Sequence, residues 1–237
     1  TRQHRFVSAE ALTRIRRQDG TIVTPGAFVP IAEKNGLISR IGENVFDQVC
    51  AFIQKNRLWQ QGIGYVEVNL SVRQCEDPKL AETYIRIMER YGLDPSCVIL
   101  EITESASIRL RDILLENMRV LMDYGVKFAL DDFGNGESNL NYIVDMPVSI
   151  VKFDRDMTQA YFSSYKAKFV MEAAMHMIHD MKLEVVSEGV ETEEQAQAIE
   201  ALGIEYIQGY YFSRPLPGAE FLKFVAGSGQ QAIYDGK

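Results

Sequence analysis

The feature that most constrains this chain is a series of short apolar segments, each ending in a carboxylate or an amide. The residues at these ends are Asn69, Glu101, Glu104, Asp131, Asp132, Glu188, Glu191 and Gln208. A carboxylate at the end of an apolar strand costs desolvation energy and adds nothing to the core. In (β/α)8 barrels, catalytic side chains gather at the carboxyl ends of the strands, on one open face. The pattern therefore predicts an α/β protein with a single-domain, TIM-like (β/α)8 barrel.

The order of the segments along the chain supports a parallel sheet. Strands are predicted over residues 6–12, 64–71, 97–103, 126–132, 150–153, 183–189 and 206–212. Helices are predicted over residues 41–54, 78–91, 110–124, 165–182 and 193–202, where apolar residues recur at intervals of three and four. Strands that alternate with helices pair in parallel, with the helices packed over a buried sheet.

Composition and charge exclude several classes of function. The 237 residues suit one domain of barrel size, and 33 acidic against 25 basic residues give a formal net charge of −8. Nucleic-acid binding relies on Lys and Arg that neutralise phosphates, so we expect no DNA or RNA partner. No apolar run approaches the roughly 20 residues that cross a bilayer, so we expect no membrane contact by this chain. Three widely spaced cysteines without a CxxC pair predict a cytoplasmic location and no structural zinc.

The acids at the strand ends predict a metal site. Six carboxylates that converge on one face repel each other and cannot all stay ionised without cations. The six are Glu10, Glu101, Asp131, Asp132, Glu188 and Glu191. Oxygen ligands without Cys or His favour Mg2+ or Mn2+, and Asn69 and Gln208 would add neutral carbonyl oxygens. Two such ions activate a water and clamp a phosphate, and Lys152 would be the cation that faces the phosphate or the water.

A plainer interpretation exists for each of these acids. A single acid at a strand end is more often a helix cap or a surface charge than a ligand. Asp154, for example, could orient Lys152 or the substrate, or it could cap the turn before Met157. The acids nevertheless recur at successive strand ends in step with an asparagine, a lysine and a glutamine, and coincidence does not explain the whole set.

Several blocks of the sequence are similar to those of one family. The run Glu10-Ala11-Leu12, followed by Arg14, resembles the signature of EAL domains, which are bacterial cyclic-di-GMP phosphodiesterases. The blocks PGAFVPIAEKNGLI, VNLS, EITES, LDDFGNG, VKFD, SEGVET and QGYYFSRPLP resemble that family's blocks in order and spacing. The resemblance covers nearly the whole chain, and it implies a TIM-like barrel that hydrolyses cyclic di-GMP to linear pGpG with two Mg2+ or Mn2+ ions.

The resemblance also implies a role for each matching residue. The metal ligands would be Glu10, Asn69, Glu101, Asp131, Asp132, Glu191 and Gln208, with Asp132 serving the second ion. Glu188 matches the proposed general base, and Lys152 matches the lysine that holds the catalytic water; with Glu10 they form the implied catalytic set. Substrate contacts would come from Leu12, Arg14 and Asp154. Glu104 matches a glutamate that steadies the loop after Asp132.

Two departures from the family pattern affect activity and domain organisation. The loop after the paired aspartates usually reads Gly-Tyr-Ser-Ser, but here Glu137 stands where the tyrosine is expected. That loop resembles the one that couples metal binding to dimerisation, so we expect Glu137 to influence turnover and regulation.

The second departure is at the start of the chain. Family members usually have a further antiparallel strand upstream, whereas nine residues precede Glu10. We therefore expect residues 1–237 to be an EAL domain from a longer protein that carries a sensor or cyclase domain upstream and that could be membrane-tethered. The family commonly forms homodimers.

Three alternatives remain at this stage. The first is a catalytically weak EAL domain that binds cyclic di-GMP as a receptor. Degenerate family members usually lose the first glutamate or other metal ligands, and this sequence loses neither. The second is an unrelated barrel enzyme that stabilises an enolate with magnesium, which leaves Asn69 and Gln208 unexplained. The third is a general nuclease, which would need a basic groove that the net charge disfavours.

Overall fold

The computed structural model describes residues 5–103, 111–135 and 141–228. The chain divides into two compact units, which we call the first unit (Val7–Lys127) and the second unit (Phe128–Lys237 with Thr1–Phe6). Strands and helices alternate in both units. None of the described helices combines the length and apolar character that a membrane span requires.

The sheet of the first unit is parallel and regular. It contains β1 (Ser8–Ala11), β4 (Tyr65–Asn69) and β5 (Val98–Thr103), with β4 in the middle. A short antiparallel hairpin of β2 (Ile15–Arg16) and β3 (Ile22–Val23) follows β1. Because the strands are parallel, their carboxyl ends lie along one edge of this sheet.

Helices cover this sheet and supply most of the apolar core of the first unit. They are α1 (Pro25–Lys34), α2 (Ile38–Asn56), α3 (Val72–Cys75), α4 (Leu80–Tyr91) and α5 (Arg111–Tyr124). Phe46 of α2 stacks on Tyr84 of α4 with the ring centroids 4.0 Å apart, and both side chains are buried. Gly92 ends α4 with a φ of +56°, the left-handed conformation that glycine adopts without steric cost.

The sheet of the second unit is also parallel. Its strands are β6 (Lys127–Phe133), β7 (Ile150–Phe153), β8 (Glu184–Ser187) and β9 (Tyr206–Ile207), and they pair in that order. The accompanying helices are α6 (Asn141–Asp145), α7 (Arg155–Ser163), α8 (Tyr165–Asp180), α9 (Glu193–Ala201) and α10 (Gly218–Ser228). The carboxyl ends of these strands again share one edge, which carries the second group of polar residues.

Each predicted strand and helix overlaps an observed one, and the parallel pairing is confirmed within each unit. The prediction did not include α1, α3, α6, α7, α10 or the hairpin of β2 and β3. These elements are short, and α1 contains Pro30 within its ten residues. The shortest of the helices, α3 and α6, have four and five residues, which are too few for an apolar period to be recognised.

Candidate active site

The carboxyl edge of the first unit carries two carboxylates and an amide. Glu10 lies near the carboxyl end of β1. Asn69 is the last residue of β4 and is in register with Glu101 of β5. The Asn69 amide nitrogen donates to Glu10 Oε1 at 2.7 Å, whereas Glu101 is almost fully buried. Because the side-chain nitrogen of Asn69 is bonded to Glu10, the side-chain carbonyl oxygen of Asn69 is the atom that would bind a metal ion.

A further buried acid, Glu67, lies beside these residues and was not predicted. It is 3% exposed and is in register with Glu10 on the neighbouring strand. Residues 67 and 69 point to the same face of β4 because side chains alternate along a strand. The sequence could have indicated Glu67, because apolar and polar residues alternate in VEVN and place Glu67 on the same face as Asn69.

The edge of the second unit begins with an irregular strand. The register between β6 and β7 shifts between Leu130 and Phe133, as in a β-bulge. Asp131 is buried at 9% exposure, and Asp132 has a φ of +57°, in the left-handed region that non-glycine residues rarely occupy. Bulges and unusual backbone conformations are frequent at functional sites, where they re-aim side chains.

Lys152 on β7 is the central cation of this edge. Its side chain is 1% exposed, and its Nζ lies 2.7 Å from Glu188 Oε1 and 3.6 Å from Asp131 Oδ1. A buried ammonium is costly unless carboxylates compensate its charge, which these two acids do. The structure therefore brings together three of the predicted residues in one ion-pair cluster.

The segment after β8 holds Glu188 and Glu191. The Glu188 backbone nitrogen donates to the Phe153 carbonyl at 3.1 Å, and the Val190 nitrogen donates to the Gln208 carbonyl at 3.2 Å. Gly189 has a φ of +72°, and a side chain at this position would collide with Arg155. Arg155 also forms an ion pair with Glu191 at 2.8 Å, a contact that the sequence analysis did not predict.

The remaining predicted residues have simpler surroundings. Leu12 and Arg14 lie between β1 and β2 and are exposed; Arg14 Nη1 donates to the Thr13 carbonyl at 2.8 Å. Asp154 is the N-cap of α7 and accepts from the Asp156 backbone nitrogen at 2.8 Å, as the capping interpretation predicted. Their proposed substrate contacts stay predictions.

Two predicted features lie outside the described residues, namely Glu104 and the loop that contains Glu137.

Within residues 5–103, 111–135 and 141–228, no group of three or more His, Cys, Asp or Glu side chains is arranged to hold a metal ion. The predicted ligand set combines carboxylates with Asn69 and Gln208, and it stays a prediction. Burial raises the pKa of the Cys50 and Cys75 thiols to about 12, so neither thiol supplies a thiolate ligand at neutral pH.

A family model described as "EAL domain" matches residues 1–215 of the chain. The chain belongs to the EAL domain family. The family predicted from the sequence blocks is therefore confirmed.

Known EAL proteins resemble this chain over most of its length. The bifunctional diguanylate cyclase/cyclic di-GMP phosphodiesterase MucR of Pseudomonas aeruginosa is 36% identical over 225 residues, which cover 93% of this chain and 32% of MucR. The signaling protein YkoW of Bacillus subtilis is 32% identical over 227 residues, which cover 94% of this chain and 28% of YkoW. This EAL domain thus spans about a third of the length of the curated relatives it matches.

A solved structure confirms the fold class. The PaMucR phosphodiesterase in complex with c-di-GMP matches with a TM-score of 0.80 and 35% identity, over 90% of this chain and 86% of that one. The TIM-like α/β fold predicted from the strand pattern is therefore the fold of this EAL domain.

Proposed function

We propose that this EAL domain hydrolyses cyclic di-GMP to linear pGpG. The observation that carries the proposal is the buried cluster in which Lys152 contacts both Glu188 and Asp131. A structural ion pair has no need to lie at the carboxyl end of parallel strands, where α/β enzymes keep their catalytic groups. The substrate assignment rests on MucR, which is named as a cyclic di-GMP phosphodiesterase, and on the c-di-GMP complex of PaMucR.

The donor atoms fit divalent metal. The proposed ligands offer carboxylate and amide oxygens and no sulfur or imidazole, which is the preference of Mg2+ and Mn2+. They are Glu10, Asn69, Glu101, Asp131, Asp132, Glu191 and Gln208. When bound, two such ions supply Lewis-acid stabilisation of the phosphate and a water of lowered pKa.

The chain's own residues would divide the remaining work. Glu188 accepts the proton of the attacking water as general base, which typically contributes a factor of about 10²–10⁴ to the rate. Lys152 fixes the Glu188 carboxylate through the 2.7 Å contact and places positive charge beside the phosphate. Arg14 would contact a second part of the substrate from its exposed position after β1.

Chromatography of the reaction products tests the proposal directly. The purified chain is incubated with cyclic di-GMP and Mg2+ or Mn2+, with a chelator control, and pGpG is followed over time. We expect pGpG to form only with metal. Saturable binding of intact cyclic di-GMP without any pGpG would contradict hydrolysis and support the receptor alternative, with Glu137 as the first residue to examine.

We propose that this domain belongs to a longer, homodimeric signalling protein in the cytoplasm, with a sensor or cyclase domain upstream. Its coverage of 32% of MucR and 28% of YkoW supports a multidomain parent. The free, buried thiols of Cys50, Cys75 and Cys97 suit a reducing compartment. Mass measurement of the purified chain tests the dimer, because a monomer at micromolar concentration would contradict it.

A further inference from the structure

Two glutamine side chains join the two ends of the segment that carries the proposed base. Gln159 Nε2 donates to the Gly189 carbonyl at 2.6 Å. Gln195 Nε2 donates to Gln159 Oε1 at 3.1 Å, and Gln195 Oε1 accepts from the Glu191 backbone nitrogen at 2.8 Å. The three hydrogen bonds form a continuous chain from Gly189 to Glu191, which we call the glutamine relay.

The helices that present the two glutamines are fixed independently. Gln159 lies on α7 beside Thr158, whose hydroxyl contacts the Ser187 hydroxyl at 2.9 Å in a fully buried pair. Gln195 lies in the first turn of α9, where its backbone nitrogen donates to Thr192 Oγ1 at 3.2 Å. In a capping box, the third helical residue would reach back to the Thr192 nitrogen, but Gln195 reaches one residue further, to Glu191.

An amide is the side chain that suits both positions of the relay. Each glutamine donates one hydrogen bond and accepts another, which a carboxylate or an apolar side chain cannot do. The surroundings are acidic, because Glu188, Glu191, Glu193 and Glu194 are close in sequence. Neutral amides hold the segment without adding negative charge to a site for an anionic substrate.

We propose that Gln159 and Gln195 are positioning residues, which set the orientation of Glu188 and Glu191 through the glutamine relay. This inference rests on the proposed function. The Gly189 carbonyl follows Glu188 directly, and Gly189 has the conformational freedom to rotate if its carbonyl is released. The backbone bonds of Glu188 to Phe153 and of Val190 to Gln208 remain without the relay, so its loss misaligns the carboxylates and leaves the fold intact.

Leucine substitutions test the relay. We expect Gln159→Leu and Gln195→Leu each to lower kcat roughly ten- to a hundredfold, the range for partners that orient metal-site residues, with KM changed less than about twofold. Because both glutamines act in one chain, the double variant should be no slower than the slower single variant. Gln197→Leu is the matched control, since Gln197 is exposed on α9 and bonds only Glu193 among the contacts described. It should retain the wild-type rate.

A conservative variant separates positioning from stability. Gln195→Glu keeps an acceptor for the Glu191 nitrogen but cannot donate to Gln159, so its kcat should lie between those of wild type and Gln195→Leu. Because a carboxylate in the first helical turn is favoured by the helix N-terminus, Gln195→Glu should melt no lower than Gln195→Leu. Relay variants as fast as Gln197→Leu would overturn the proposal, and so would a Gln195→Glu variant with the wild-type kcat.

Hydrogen exchange at the Glu191 backbone amide tests the glutamine relay independently of hydrolysis. Its exchange should be slow in the wild type and at least tenfold faster in Gln195→Leu, because the acceptor is gone. Unchanged exchange would overturn the relay itself. A wild-type chain that forms no pGpG but shows the protected amide would overturn the proposed hydrolysis and the positioning role, while confirming the hydrogen-bond geometry.

Discussion

The carboxyl edges of the two units differ in regularity and in charge. In the first unit, β1, β4 and β5 keep an uninterrupted register up to Asn69 and Glu101. In the second unit, β6 changes register between Leu130 and Phe133, and Asp132 adopts a positive φ. Irregular backbone is thus concentrated where the second unit presents its aspartates.

The charge pattern parallels this difference. The first edge presents oxygen atoms, with Asn69 bonded to Glu10, whereas the second edge places Lys152 between two carboxylates. Oxygen donors alone suit metal binding, and a buried lysine beside a carboxylate suits proton transfer and charge stabilisation. Under the proposed function, both edges supply metal ligands, and the second edge adds Lys152 and Glu188, which act on the water.

The largest effect is expected at the first edge. Glu10→Ala removes a proposed metal ligand and the acceptor of the Asn69 amide, so hydrolysis should fall to the level of the chelator control. The rate of pGpG formation measures this effect. Glu89→Ala, an exposed acid on α4, is the control and should retain full activity. Measurable metal-dependent turnover in Glu10→Ala would show that Glu10 is dispensable.

The next effect concerns the proposed base on the second edge. Glu188→Gln should lower kcat by roughly 10³-fold, because the amide cannot accept the proton of the water. Cyclic di-GMP should still bind, as measured by calorimetry. Glu184→Gln is matched to it, since Glu184 lies at the opposite end of β8 and is exposed. A wild-type rate for Glu188→Gln would exclude Glu188 as the base.

Lys152→Met should have a smaller effect on rate and a measurable one on stability. We expect a loss of roughly a hundredfold in kcat, as for removal of one preorganised charge. The free energy of unfolding in urea should fall by about 2 kcal/mol, less than the 3–5 kcal/mol of a fully buried broken pair, because Glu188, the nearer of the two carboxylates, is only half-buried. Lys127→Met, at the exposed start of β6, should change neither quantity.

The smallest expected change in stability, that of Asp132→Gly, tests the irregular backbone of β6. Asp132→Gly should leave the free energy of unfolding within about 1 kcal/mol of wild type, because glycine adopts a positive φ without steric cost. Asp132→Val should lose about 1–3 kcal/mol, since a β-branched residue is strained there. Both variants should lose activity. Equal stability of the two variants would show that the left-handed conformation of Asp132 imposes no energetic constraint.

The strand ends were predictable because buried parallel strands leave a strong apolar signal and their polar ends interrupt it. Glu10, Asn69, Glu101, Asp131 and Lys152 could be named from this pattern and the EAL resemblance. The contacts among them could not. The pairing of Arg155 with Glu191 and the glutamine relay depend on where α7 lies, and α7 was not among the predicted helices. The bulge in β6 depends on its pairing with β7, which apolar alternation does not encode.

Titration with Mn2+ tests most directly whether Glu10 holds metal while Glu188 acts on the water. Free Mn2+ is followed by electron paramagnetic resonance for wild type, Glu10→Ala and Glu188→Gln, and pGpG formation is measured on the same samples. We predict that Glu10→Ala loses Mn2+ binding, whereas Glu188→Gln binds Mn2+ about as well as wild type and forms almost no pGpG. Equal Mn2+ binding by wild type and Glu10→Ala, or loss of binding in Glu188→Gln alone, would contradict this account.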